Sequence, residues 1–454
     1  MAERQHPHEQ DAKVRCTNFE AVEDNFTKEQ AKIEASRCLN CKNPKCVEGC
    51  PVNINIPSFI NALKNDDLEQ AGDVIRESSM LPSVCGRVCP QERQCEGKCI
   101  LGIKSQPVAI GALERYVGDY TKAKETKIVE NGKKVAIIGS GCAGITAAAD
   151  LRKAGFKVTV FEALHEFGGV LRYGIPPFRL PRVVLDRELD ALKEMGVEFI
   201  KNVVVGKSIT INQLKEDGYE AIFICSGAGL PKMLGIKGEN LNGVYSANEF
   251  LTRVNLMHAH ESETPTPLKV GKKVAVIGGG NVAMDAARTA LRVGFEEVYI
   301  VYRRSEAELP ARLEEIRHAK EEGVIFKLLH APKEILGETE VTGMELEVME
   351  LGEPDESGRR SPVSTGKFVT IDFDSVIVAL GTGPNPIIQK SAQDEDLQLN
   401  TDRKGYIVIN ETTGETSIED VYAGGDVAPV GTSTAINAMG AGKRAAKAII
   451  EKLK

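Results

Sequence analysis

Twice along this chain an apolar strand runs into a glycine turn, a helix and a second apolar strand. In the first unit Lys134-Val-Ala-Ile-Ile138 precedes Gly139-Ser-Gly141-Cys-Ala-Gly144, a helix extends through Ala154, and Lys157-Val-Thr-Val-Phe161 follows. In the second, Lys273-Val-Ala-Val-Ile277 precedes Gly278-Gly-Gly280-Asn-Val-Ala283, with a helix to Val293 and the strand Val298-Tyr-Ile-Val301. A further echo pairs Ala221-Ile-Phe-Ile-Cys-Ser-Gly227 with Ser375-Val-Ile-Val-Ala-Leu-Gly381, each a strand ending in a glycine turn. Strand–helix–strand units of this length build parallel sheets, so the class is α/β.

The chain has 454 residues, enough for about three domains. Its net charge of −8 argues against a nucleic-acid surface. No window approaches the ~18 apolar residues of a membrane span, and the opening MAERQHPHEQ lacks the apolar run of a signal peptide, so a soluble cytoplasmic protein is expected. Residues 1–30 are polar and expected to be mobile at their extreme end.

A glycine turn between strand and helix aims backbone N–H groups and the positive helix end at a pyrophosphate. In the first unit this implicates Gly139, Gly141, Ala143 and Gly144. Glu162 ends the second strand, 23 residues after Gly139, and is placed to accept hydrogen bonds from a ribose. The second unit, with Gly278, Gly280, Val282 and Ala283, replaces the third glycine by alanine. At its acidic ribose position stand Tyr302, Arg303 and Arg304. An acid there would repel a 2′-phosphate and guanidiniums would grip one, so NADPH is expected, with Arg312 as a further contact. FAD suits the first unit because a third element completes it. Val421-Tyr-Ala-Gly-Gly425-Asp426 is a strand ending in an acid suited to a ribityl hydroxyl. Thr432-Ser-Thr434-Ala435 then starts a helix whose N-terminus stabilises negative charge on a reduced isoalloxazine. Gly227, closing the echo strand, joins the same site.

Nine of the eleven cysteines fall within the first 99 residues. Cys38-x2-Cys41-x4-Cys46-x3-Cys50-Pro51 is similar to a ferredoxin run, and Cys85-x3-Cys89-Pro90-x4-Cys95-x3-Cys99 follows. Counted alone, these eight thiolates supply two 4Fe–4S clusters. Zinc is the competing ion, but it usually recruits paired CxxC or His ligands, and no His lies between residues 9 and 164. Residues 60–75, between the two groups, carry a helical period. Cys16 reads as a bystander. Cys142 and Cys225 are isolated, so the Cys-x-x-Cys that a disulfide reductase places beside its flavin is missing outside the head.

The stretch Gly168-Gly-Val-Leu-Arg-Tyr-Gly-Ile-Pro-Pro-Phe-Arg-Leu-Pro181, with Arg303-Arg-Ser-Glu-Ala-Glu-Leu-Pro-Ala-Arg312 and Ala423-Gly-Gly-Asp426, resembles the glutamate synthase small-chain family. That family includes the large subunit of NADH-dependent ferredoxin:NADP oxidoreductase and the amino-terminal half of dihydropyrimidine dehydrogenase. The resemblance runs from about Phe19 onward. It implies a helical iron–sulfur domain (1–125) and a glutathione-reductase-type FAD domain (126–265 and 380–454) into which the NADP domain (266–379) is inserted. It adds Gly169 and Arg179 to the FAD site, and Gly280 with Asn281 to the NADPH site. For the clusters it implies Cys38, Cys41, Cys46 and Cys99 on the first, and Cys50, Cys89, Cys95 and Glu114 on the second, leaving Cys85 spare. Cysteine counting and resemblance therefore differ over Cys85 and Glu114.

A hydride donor and one-electron centres on one chain require a flavin between them, and hydride transfer to flavin demands no acid or base, so no catalytic residue is nominated. No stretch is left for a substrate-processing domain. The expected role is an electron-transfer subunit of a larger hetero-oligomer, a homo-oligomer being the alternative arrangement. The partner is either a glutamate synthase large chain or a flavin/2Fe–2S subunit linking NADH and ferredoxin; the spacing of the second cysteine group resembles the latter. A non-catalytic iron–sulfur adaptor is the competing class. It would be expected to have lost a cofactor contact, yet both glycine turns, Glu162, Arg303-Arg304 and Asp426 are intact.

Overall fold

The computed structural model describes residues 2–124, 127–356 and 358–454. Two five-stranded parallel sheets form its centre. The first runs Val421–Ala423, Tyr219–Ile224, Lys134–Ile138, Lys157–Phe161, Glu198–Ile200. The second runs Val244–Ser246, Ser375–Val378, Lys273–Ile277, Glu297–Tyr302, Ile325–Leu328. Their central strands are β-branched and apolar on both faces because helices cover each side. Val135, Ile137, Val274 and Val276, for example, are wholly buried. The two echo strands, Tyr219–Ile224 and Ser375–Val378, occupy the same place in their sheets, directly beside the strand that enters the glycine turn.

The first domain crossing differs from the expected boundary at 265. Strand Val244–Ser246 hydrogen-bonds to Ser375–Val378, and helix Ala247–Asn255 buries Phe250, Leu251 and Val254 in the second core. The chain instead crosses at Leu230–Pro231, antiparallel to the return strand Thr382–Gly383. The polar loop 261–267 lies within the second domain. A three-stranded antiparallel sheet, His330–Leu336, Gly343–Pro354 and Arg360–Ile371, extends from that domain. The polar 353–366 segment is the tip of its long hairpin, apart from residue 357, and the expected boundary at 125/126 also lies outside the described residues.

The head is helical. Thr27 and Gln30 form a reciprocal cap on Lys28–Ser36. The 60–75 period is two helices, Ile56–Lys64 and Leu68–Arg76, broken where Asp66 takes a positive φ and Asp67 accepts the Gln70 N–H. The N-terminal segment is not loose. Arg15 is buried against Glu321 (2.5 Å) and Glu322 (3.0 Å), and Val22 N–H donates to the Phe178 carbonyl (3.0 Å). Short-range polarity hid this, because the partners of Arg15 lie some 300 residues away. Among the described residues no helix is long and apolar enough to cross a membrane.

Candidate functional site

Gly139 and Gly278 open the two turns at φ +115° and +143°. A Cβ there would lie 2.6 Å from the Cys225 carbonyl oxygen and 2.5 Å from that of Ala379, the residues that directly follow the two echo strands. Backbone packing therefore fixes both as glycine. Gly141 and Gly280 are different. Both take negative φ open to any residue, and a Cβ built on either meets no heavy atom within 4 Å. Neither the protein's packing nor its conformation calls for glycine there. A pyrophosphate lying on the turn would, since it needs the backbone to come close.

Glycine-to-glycine packing assembles the rest of the first site. A Cβ on Gly169 would lie 3.0 Å from the Cα of Gly141, which sets the 168–169 loop over the turn. Glu162, buried, accepts from Ser140 N–H (3.0 Å), Ser140 Oγ (2.5 Å) and Leu164 N–H (2.9 Å), and Ser140 Oγ accepts from Gly168 N–H (2.9 Å). Ser140 thus braces the acid, the turn and the covering loop together. Sequence reasoning passed over it as filler between two glycines. Gly425 packs on Ala143, and helix Ala435–Leu453, N-capped by Thr434, lies along helix Cys142–Lys153 with Gly442 against the Ala143 carbonyl. Asp426 is partly buried, and burial raises its carboxyl above the usual range.

Three arginines stand elsewhere than expected. Arg179, expected in the FAD site, donates both Nη1 bonds to Asp285 (2.8 and 2.7 Å) and pairs with Glu315 (2.9 Å); it ties the first domain to the second. Arg312, expected on NADPH, is spent on Gln91 Oε1 (2.8 Å) and the Arg87 carbonyl (3.2 Å) in the head, and its N–H is accepted by Asn281 Oδ1 (2.9 Å). Arg304 turns from Arg303 to Asp355 (2.5 Å) and the Arg360 carbonyl (2.8 Å) on the long hairpin. Each bonds a carboxylate, carbonyl or amide oxygen supplied from far along the chain, which local spacing does not register. Arg303 remains exposed at the strand end, and Tyr302 packs under Gly279.

The cysteines separate into two groups. Cys38, Cys41, Cys46 and Cys99 line one pocket, walled by Ile56, Ile60 and Val108. Burial and the neighbouring thiols push Cys46 up to about 11. Cys50, Cys85, Cys89 and Cys95 all feel the charge of Glu114, which is buried on helix Ile110–Tyr120. Burial pushes the Glu114 carboxyl up to about 8, with a smaller contribution from Glu188, and its Oε1 has no hydrogen-bond partner. A buried, unpartnered carboxylate oxygen among four thiols is costly. An iron ion would satisfy it, and a set of four thiols and one carboxylate fits the chemistry of an iron–sulfur cluster. Cys85 is wholly buried nearby, its Sγ 3.4 Å from Met439 Sδ on the C-terminal helix. No disulfide joins any of the eleven cysteines.

Comparison with known proteins agrees with this layout. Residues 15–126 match the family described as dihydropyrimidine dehydrogenase domain II, 4Fe-4S cluster, and residues 133–442 match pyridine nucleotide-disulphide oxidoreductase. The glutamate synthase (NADPH) small chain of Halomonas elongata is 36% identical over 99% of this chain and 96% of its own length. The NADP(+)-dependent formate dehydrogenase subunit beta of Moorella thermoacetica is 38% identical over 90% of this chain and 60% of its own. In fold, the chain is similar to Mycobacterium tuberculosis FprA in complex with NADPH, with TM-score 0.58 and 24% identity over 71% of this chain and 84% of that one. With its glycine turns, its cysteine-rich head and full-length relatives in agreement, this chain belongs to the glutamate synthase (NADPH) small-chain family and is an NADPH-dependent oxidoreductase of FAD and iron–sulfur chemistry.

Proposed function

We propose that the chain carries electrons between NADPH and a partner redox subunit through FAD and two 4Fe–4S clusters, one held by Cys38, Cys41, Cys46 and Cys99, the other by Cys50, Cys89, Cys95 and Glu114. When bound, FAD takes a hydride from NADPH and hands electrons on singly to iron–sulfur centres. The residues around Gly139, Glu162, Gly169, Gly227, Asp426 and Thr434 bind and orient it. Those around Gly278, Gly280, Val282 and Ala283 hold the NADPH pyrophosphate, with Asn281 as the strut that fixes the 309–312 loop.

The observation that carries this reading is the seating of the second cysteine group on the flavin-side helix. Cys85 touches Met439, and the carbonyl oxygen of Pro51, next to Cys50, lies 3.2 Å from a Cβ built on Gly440. One element, Ala435–Leu453, thus starts at the proposed isoalloxazine site and passes beneath the proposed second cluster. The first pocket lies farther out. Leu39 and Ile100 on its wall are half exposed, and with exposed Ile103 they form the face through which electrons would leave for a partner. A glutamate synthase large chain and a flavin/2Fe–2S subunit are the two partner types this face would serve, and coupling the purified chain to each in turn tests which accepts electrons.

Arg303 is the residue left to grip the 2′-phosphate. One charge-assisted bond contributes about 1.5–3 kcal/mol, so Arg303→Glu is expected to raise the KM for NADPH at least ~tenfold. Dye reduction at saturating NADPH should change little. Equal losses in both would remove the phosphate role, and an unchanged KM would do the same.

A further inference from the structure

We propose that the cysteine-rich head completes the NADPH site, with Gln91 and Arg93 of the head as positioning residues for the loop that lies against the second glycine turn. The inference rests on the reading that this turn holds the NADPH pyrophosphate. Residues 309–312 form the loop, and on one side it is bonded to the turn. Ala311 N–H donates to the Gly279 carbonyl (3.2 Å) and Arg312 N–H to Asn281 Oδ1 (2.9 Å). A Cβ built on Gly279 would lie 2.7 Å from Leu309 Cδ2, so loop and turn also pack together.

On the other side the loop is bonded to the head. Arg93 donates from Nη1 to the Pro310 carbonyl (2.9 Å) and from Nη2 to that of Ala311 (3.1 Å). Arg312 donates to Gln91 Oε1 (2.8 Å) and to the Arg87 carbonyl (3.2 Å). Ala311 thus faces both ways, its N–H bonded to the turn and its carbonyl to the head. Arg93 is exposed, so it adds little to any core. Its planar fork spans two successive carbonyls, which fixes the direction of the loop as well as its distance.

The head end of these bonds is anchored in its turn. Gln91–Arg93 is a single turn of 3-10 helix between Cys89 and Cys95. Gln91 is buried, and its Nε2 donates to the carbonyls of Cys85 (3.3 Å) and Gly86 (3.2 Å). A Cβ on Gly111 would lie 2.4 Å from that Nε2, and Gly111 belongs to helix Ile110–Tyr120, which carries Glu114. The Gln91 amide therefore sits between the second cysteine group and the nucleotide loop. A cluster held by Cys89 and Cys95 would fix both ends of the turn, and with them the places from which Gln91 and Arg93 reach the loop. By linkage, nucleotide bound on the glycine turn would hold the same segment around the metal in return.

The test is calorimetric titration of the anaerobic holoprotein with NADP+, wild type beside Arg93→Ala and Gln91→Leu. The dissociation constant should rise at least ~fivefold in each variant, with flavin and iron content unchanged. In Arg93→Ala the KM for NADPH should rise in step, while dye reduction at saturating NADPH stays near wild type. Should one variant lose iron or fail to fold, the other carries the test. Saturating NADP+ should also slow the loss of iron to a chelator in the wild type, and slow it less in Arg93→Ala. Wild-type NADP+ affinity in folded, iron-replete variants would overturn the proposal, as would chelator kinetics that NADP+ leaves unchanged in the wild type. Either result leaves the nucleotide reading standing. A wild-type holoprotein that binds no NADP+ would remove that reading, and this proposal with it.

Discussion

Glu114→Leu is expected to lower bound iron from about eight atoms per chain to about four, whereas Cys85→Ser should keep about eight. Leucine matches the apolar surroundings that burial imposes at this position, so loss of iron would not follow from a hole or an exposed charge. The wild-type carboxylate has no compensating protein partner for Oε1 and sits among Cys50, Cys85, Cys89 and Cys95. Cys85 is oriented differently: its Sγ faces Met439 and reaches Cys89 by a thiol hydrogen bond. Removing that thiol should alter the surroundings of the second cluster without unseating it. Iron and acid-labile sulfide per chain decide the matter. Full iron in Glu114→Leu together with loss in Cys85→Ser would show that eight cysteines, not seven and a carboxylate, hold the metal.

Gly141→Val is expected to abolish flavin binding, cutting bound FAD by about tenfold or more, while the chain still folds and keeps its iron. The built Cβ at Gly141 meets no protein atom within 4 Å, and its backbone angles suit any residue. Gly144→Ala makes the contrast. There the added carbon would fall 2.0 Å from the Gly139 carbonyl oxygen, so the turn itself must move. A folded, cluster-bearing, flavin-free Gly141→Val beside a destabilised Gly144→Ala separates a glycine kept for a ligand from one kept for packing. Normal flavin content in Gly141→Val would mean that no pyrophosphate crosses this turn.

What could be read from sequence follows from how local each constraint is. The glycine turns were legible because turn, helix start and strand end lie within some thirty residues of one another. The echo strands were legible because burial on both faces leaves an unbroken apolar run. The burial of Glu114 follows helical phase, since Ile110 and Val117 on the same face are buried with it. The arginines were not. Arg179, Arg304 and Arg312 each sit where charge was expected, but their partners come from distant segments, 106 residues away for Arg179–Asp285, 51 for Arg304–Asp355 and 221 for Arg312–Gln91. The domain crossing was missed for a related reason. Strand Val244–Ser246 has three residues and no periodicity to speak of, and only its pairing with Ser375–Val378 assigns it to the second sheet. Ser140 carried no signal beyond its place between two glycines.

Anaerobic titration of the purified chain with NADPH, followed by optical and paramagnetic resonance spectroscopy, tests the whole scheme most directly. The account predicts bleaching of the flavin band together with the signals of reduced 4Fe–4S centres, without any added mediator. Bleaching with every cluster left oxidised, even when a chemical reductant of lower potential then reduces those clusters, would contradict it, because flavin and iron would share one chain without sharing electrons.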